Sequence, residues 1–237
     1  MKIAYNDKYV AAKHPFETTR KAKLVAAEIA KGWMPGAQLH DPTDWEAQAI
    51  QAIGETHDRK YVQALRTGTP RSLSQSQGFE WDPGIWTMAV ASTAGVMASV
   101  DWAIESRGFA ASLSSGLHHA SRDRGNGFCT VNGLAIGAKR AAAKTNGRVV
   151  ILDLDAHCGG GTFELLCGNL QIVQVDLSTS SFDQYSPVDQ HRLEIFNGRS
   201  DKQYLAAVTA LLEEIPKDTE FLLYNAGVDP HPEISEA

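Results

Sequence analysis

Apolar residues in this chain occur in two rhythms. Solid runs such as Val149-Val150-Ile151-Leu152 and Ile172-Val173-Gln174-Val175 have the length of strands buried on both faces. Lys2 to Tyr5 reads as a short first strand, Phe109 to Leu113 as another and Glu220 to Asn225 as the last. Longer periodic stretches read as helices. Glu17 to Lys31 is one, stopped by Gly32. Asp41-Pro42 supplies an N-cap and a proline at the first helical position, opening a second that runs to about Ile53. Asp58 to Arg66 gives a third, ended by Gly68 and Pro70, and Arg71 to Pro83, without periodicity, reads as a long loop. Ile85 to Ser106 is a long small-residue helix, Asn132 to Lys144 an alanine-rich one, and Phe163 to Cys167 a short one. Asp201 to Ile215 sets Leu205, Val208, Leu211, Leu212 and Ile215 on one helical face. Strands alternating with helices predict an α/β fold with a parallel, doubly wound sheet.

With 237 residues the chain can bury one sizeable core, which predicts a single domain over 1–237. A net charge of −6 argues against binding nucleic-acid phosphates but leaves room for a cationic substrate. Three cysteines, Cys129, Cys158 and Cys167, lack framework spacing and fit a reducing cytosol. The N-terminus carries no secretory h-region, and no apolar stretch approaches the length of a membrane span. The expectation is a cytoplasmic protein with no membrane partner.

The densest chemistry follows the 149–152 run. Asp153, Asp155 and His157 alternate, so an extended backbone would point all three to one side of a strand's carboxyl end. Ligands of open α/β sheets bind at such ends, and carboxylates with an imidazole suit a divalent cation such as zinc. A second reading uses the same stretch. Asp153 followed by Cys158-Gly159-Gly160-Gly161-Thr162 is similar to the glycine loop of an S-adenosylmethionine-dependent methyltransferase, with Asp176 placed to bind a ribose. A third reading is structural, with the aspartates capping a helix or bracing a loop.

The pair His118-His119, in a Gly-rich loop after a predicted strand, suits proton transfer beside a metal-bound water. A metal hydrolase accounts for both this pair and the Asp-x-Asp-x-His stretch; a methyltransferase leaves the pair idle.

Ser115-Gly116-Leu117-His118-His119-Ala120, then Asn126-Gly127-Phe128-Cys129 and Asn132, resemble the His-His and Gly-Phe-Cys signature of the histone deacetylase superfamily, which includes bacterial acetylpolyamine amidohydrolases and acetoin-utilisation-type proteins. Asp153 to His157 is similar to its Asp-x-Asp-x-His zinc motif, and Asn225-Ala226-Gly227-Val228-Asp229-Pro230-His231 to its Ala-Gly-x-Asp motif. His14-Pro15-Phe16-Glu17 with Arg20, and His57-Asp58-Arg59-Lys60-Tyr61-Val62, match two weaker patterns, so the likeness spans the chain in order.

The resemblance implies a three-layer α/β fold of the arginase/deacetylase type and one catalytic zinc per chain. It makes Asp155 and His157 zinc ligands, and His118 and His119 the proton-transfer pair. Asp153 would orient His118 and, with Asp176, contribute to a site for a monovalent cation such as potassium. Gly127 would line the acyl-lysine tunnel through its backbone, and Phe128 would form one wall. The implied function is a metal-dependent deacetylase, an amidohydrolase acting on an acylated amine, either acetyl-lysine or an acetylpolyamine.

The chain departs from the pattern at several positions. Cys158 stands where a second histidine is usual and reads as a buried small residue. Gly160 replaces an Asp or Asn that supports the second catalytic histidine. Ile234 occupies the place of the third zinc ligand, with Glu233 or Glu236 as substitutes in a shifted register. The Gly-Gly-Tyr loop of the family has no counterpart before Ala237, so the fold is expected to be C-terminally incomplete. These departures keep a non-catalytic member of the same fold as the alternative.

Overall fold

A computed structural model describes residues 1–13, 20–114, 117–198 and 200–231. The chain divides into two compact units, 1–137 and 138–237.

In the first unit the elements are β1 (Lys2–Ala4), α1 (Lys21–Ala30), β2 (Gln38–His40), α2 (Glu46–Thr56), α3 (Arg59–Thr67), α4 (Arg71–Ser74), α5 (Gly84–Ser106) and β3 (Ala110–Ser112). Polar caps set several of the boundaries. Asp58 Oδ1 accepts from the Lys60 amide at 2.7 Å to open α3, and Gly68, at φ 78°, closes it in the left-handed region. Asp41 Oδ1 accepts from the Thr43 amide at 3.0 Å, but the turn it starts is a 3₁₀ turn over Thr43–Trp45, so α2 begins only at Glu46. The expected 71–83 loop begins with the single helical turn α4.

Strands β2, β1 and β3 form a three-stranded parallel sheet in that order. Helix α5 lies at the heart of this unit, where Ile85, Val90 and Met97 pack with Ile53, Tyr61 and Leu65. Contrary to expectation, α5 is long and apolar enough by length and composition to cross a membrane. Since 72% of its most apolar stretch is buried, it serves as a core helix. Helix α6 (Gly133–Ala142) straddles the division between the units. Asn132 caps it, its Oδ1 accepting from the Ala135 amide at 2.9 Å.

The second unit contains β4 (Arg148–Asp153), α7 (Gly160–Leu166), β5 (Ile172–Ser178), β6 (Arg192–Ile195), α8 (Asp201–Glu213) and β7 (Thr219–Asn225). Its strands run parallel in the order β6-β5-β4-β7. The register places Asp176 and Asn225 on either side of Asp153, so the carboxyl ends of three strands lie abreast. The α/β class with parallel strands and flanking helices is thus as expected.

Two details of this unit differ from the sequence reading. β6 was not foreseen; only four residues long, it alternates exposed and half-buried at the sheet edge and carries no apolar run. Val208 and Leu211 on α8, with Ile215 just beyond it, pack against the Val150, Val173 and Val175 cluster, whereas Leu205 and Leu212 are 62% and 45% exposed. The periodic face is wider than the strip the sheet covers.

Small residues on α5 let β3 and the 3₁₀ turn at Asp7–Val10 approach closely. A Cβ added at Gly95 would collide with the Tyr9 hydroxyl and lie 2.6 Å from Ser112 Oγ, and these two groups hydrogen-bond each other at 2.9 Å. Gly95→Ala is therefore expected to destabilise the chain by about 1–3 kcal/mol through overpacking, despite the better helix propensity of alanine. Urea unfolding should show a lower midpoint with an unchanged slope; an unchanged midpoint would mean that this contact is soft.

Candidate functional site

Strand β4 ends at Asp153, and the chain then leaves extended geometry, so the expected single row of Asp153, Asp155 and His157 does not form. Asp153 is buried and acts on the turn. Its Oδ1 accepts from the Asp155 amide at 3.1 Å and from Asn225 Nδ2 at 2.8 Å, tying β4 to β7. Asp155 repeats the device one step on, Oδ1 accepting from the His157 amide at 2.9 Å. These two turns bring Asp155 and His157 together at the sheet end.

The third group of this cluster is Asp229. Its Oδ1 accepts from the Ala156 amide at 3.2 Å, and its Oδ2 lies 3.2 Å from His157 Nδ1. The same nitrogen also lies 3.2 Å from Asp155 Oδ1. Asp155, His157 and Asp229 thus offer three ligand atoms within 4.8 Å of one another, a carboxylate–imidazole set of the kind that holds zinc. The site reading from sequence missed Asp229 because it looked for the third ligand at Ile234, which lies outside the described residues with Glu233 and Glu236. A signal was available in the register. Asn225 is paired with Asp153, and Asp229 stands as far beyond Asn225 as His157 stands beyond Asp153. Gly227 makes the approach possible, since a Cβ there would come within 2.5 Å of the Asp155 backbone.

The two carboxylates change the imidazole. Hydrogen bonding to Asp155, then to Asp229, outweighs burial and raises the His157 pKa to about 10. Burial pushes Asp229 upward, but hydrogen bonds from His157 and the Ala156 amide prevail and hold it at about 2.

Asp176 is fully buried, and its Oδ2 accepts from the Gly159 amide at 3.0 Å and from Gln174 Nε2 at 2.8 Å. A carboxylate so enclosed is not placed to bind a ribose, which removes the support for a methyltransferase. Cys158 is buried and donates to Ser180 O at 3.3 Å, as expected of a small core residue, and burial pushes its thiol up. At Gly160 a Cβ would lie close against Asp183, with Oδ1 at 2.7 Å, so this backbone excludes the side chain the resemblance looked for.

In the first unit, His118 and His119 are both buried, with ring centroids 3.9 Å apart and planes at 39°. Their loop is held from behind. Asn132 Nδ2 donates to His118 O at 3.2 Å and to Ala120 O at 3.0 Å. The Asn132 amide donates to His57 Nε2 at 3.1 Å, and the other ring nitrogen, Nδ1, donates to Ser121 O at 2.8 Å. His57, quoted in sequence only as a weak pattern, is therefore a brace for this loop. Ser115-Gly116 and the His14-Pro15-Phe16-Glu17 pattern lie outside the described residues.

Gly127 and Phe128, at φ 48° and 63°, form the centre of a tight turn closed by bonds between Asn126 and Cys129. A positive φ at a phenylalanine is strained and persists where surroundings enforce it. Here the Phe128 amide donates to Gln77 O at 2.8 Å and the ring packs on Phe79 at 5.2 Å. The residue remains 41% exposed.

The model of the histone deacetylase domain matches residues 14–233. The chain belongs to the histone deacetylase family. An uncharacterised protein of Picosynechococcus is 26% identical over 97% of the chain and 78% of its own length. Histone deacetylase 2 of Arabidopsis thaliana is 24% identical over 91% of the chain and 58% of its own length. The acetoin utilization protein AcuC of Bacillus subtilis is 30% identical over 47% of the chain and 31% of its own length. The chain thus spans little more than half of the plant deacetylase. The family is one of hydrolases of the deacetylase type.

The charge on His157 gives a test of metal binding. At neutral pH the imidazole, at about 10, is protonated, so a metal taking Nδ1 displaces about one proton. Zinc titrations at pH 7 in buffers of different ionisation enthalpy should report that release, and His157→Ala should abolish it. Zinc uptake without proton release would place the metal elsewhere. In the metal-free chain the raised pKa also stabilises the fold below the ordinary histidine value, and that share is lost as pH rises through about 10. With the side chain 41% exposed, solvent screening keeps this share small.

Proposed function

We propose that the chain is a zinc-dependent amidohydrolase that removes an acetyl or related acyl group from an amine. The observation that carries this reading is the placement of His157 Nδ1 at 3.2 Å from a carboxylate oxygen of Asp155 and of Asp229. Bonds of about 2.0–2.1 Å in a tetrahedral shell set neighbouring ligand atoms about 3.3 Å apart. The three groups therefore fit zinc in place of the proton they share.

Bound there, zinc would polarise the acyl carbonyl and acidify a water. The chain's own residues do the rest. His119 accepts the water's proton, and His118 with His119 returns a proton to the departing amine. His57 and Asn132 keep the backbone of that pair fixed. Phe128 and the backbone of Gly127 flank the acyl chain. The substrate is a small acetylated amine, such as an acetylpolyamine, or an acetyl-lysine side chain. Three free cysteines support action in the reducing cytoplasm.

A monovalent cation such as potassium fits beside Asp153 and Asp176. A Cβ at Gly159 would lie 3.1 and 3.2 Å from their Oδ2 atoms, so two buried carboxylates face one small space. A cation there would offset the like charges of the two carboxylates.

A second reading, a member with fold and metal but little turnover, draws on Gly160, which stands where the resemblance has an Asp or Asn supporting the second histidine. Hydrolysis of a fluorogenic acetyl-lysine peptide and of an acetylated polyamine by the zinc-loaded chain separates the two. The enzyme reading expects zinc-dependent turnover that falls about 10²–10⁴-fold in His119→Ala. It also expects Asp229→Ala to lose zinc in metal analysis. Full zinc occupancy with no turnover of either substrate would leave the second reading standing. Turnover unchanged in His119→Ala would remove that histidine's role.

A further inference from the structure

We propose that His118, His119 and Cys129 form a second metal position, one that takes a thiophilic divalent cation and inhibits the chain when filled. The three side chains offer ligand atoms that all lie within 4.8 Å of one another, and all three are buried. They belong to the first unit, so the position is built without any residue of the Asp155, His157 and Asp229 cluster.

The backbone already fixes each ligand. The turn at 126–129 is closed by the Asn126 amide to Cys129 O at 3.2 Å and the Cys129 amide to Asn126 O at 2.8 Å. On the other side, Asn132 holds the carbonyls of His118 and Ala120. In a tetrahedral shell with bonds of about 2.0–2.3 Å, neighbouring ligand atoms sit about 3.5 Å apart. The present spacing is at most 4.8 Å, so filling the position asks the ligand atoms to close by about 1.3 Å at most.

The donor chemistry decides which cation is preferred. A thiolate with two imidazoles favours soft and borderline metals such as cadmium and zinc, whereas two carboxylates with one imidazole form a harder set. As the sulfur–metal bond forms, the thiol proton leaves to solvent, and both imidazoles bind in the neutral form. The consequence for catalysis rests on the reading above. A cation bound to both imidazoles takes a lone pair from each ring and holds the rings in place, so filling this position would hinder the proton transfer proposed above.

The decisive measurement uses the 237-residue chain with the other cluster disabled by His157→Ala. Cadmium titration should show about one equivalent bound with a thiolate-to-metal charge-transfer band in the ultraviolet. Adding Cys129→Ser to that variant should remove the band. Absence of the band in His157→Ala overturns the proposal; so does its survival in the double variant, which would assign it to Cys158 or Cys167. A second arm uses turnover. Cadmium added to the zinc-loaded chain should inhibit, and Cys129→Ser should raise the half-inhibiting concentration by more than about 100-fold, since losing even an outer partner of a metal ligand costs 10–100-fold. Equal inhibition of both proteins overturns the proposal. Should the loaded chain show no turnover at all, the amidohydrolase reading fails while the charge-transfer band still decides this one.

Discussion

Four aspartates, Asp153, Asp155, Asp176 and Asp229, converge at the carboxyl ends of three parallel strands, and the second unit is arranged around the cost of their charge. Carboxylates removed from water are tolerated only when hydrogen bonds or opposite charge replace what hydration supplied. The backbone provides most of that replacement. Amides of Asp155, Ala156, His157 and Gly159 each point at one of the four groups. Asn225 and Gln174 add side-chain donors. One positive charge, on His157, stands between two of the carboxylates. Such a site is charged for a cation before any cation arrives.

The first unit solves the opposite problem. His118, His119 and His57 are buried in a loop region, and His57 meets a backbone carbonyl and a backbone amide. His57 donates through Nδ1 and accepts through Nε2, which fixes it as one neutral tautomer. Asn132 uses its backbone amide, its side-chain oxygen and its side-chain nitrogen at once, joining the start of α6 to the histidine loop. The side chain of one asparagine thus fixes the backbone on both sides of His119, which sets where the two rings start from.

Much of this was legible before any coordinates. Solid apolar runs gave β4 and β5, and Asp58 with Gly68 bounded α3, because those signals are local and strong. Edge strand β6 was not legible, since half-exposed residues in a short segment leave no apolar run. The width of the α8 face misled for a related reason. Periodicity shows that a helix is amphipathic, but how much of its apolar side is covered depends on the partner, and here Leu205 and Leu212 are left out. Among the site residues, Asp155 and His157 were found because they are neighbours in sequence. Asp229 was quoted in a motif yet given no role, because its meaning depends on pairing between β4 and β7, a contact between distant segments.

That dependence explains why the cluster needs glycine as much as aspartate. Asp229 reaches His157 only if the chain after β7 passes over Asp155, and at Gly227 a Cβ would come within 2.5 Å of the Asp155 Cα. At Gly159 a Cβ would occupy the space between Asp153, Asp176 and Gln174, forcing apart groups that one backbone amide now helps to hold. In both places the missing side chain lets charged groups approach more closely than packed residues would permit. The acidic residues determine what the site can bind, and the glycines determine whether they are close enough to bind it together.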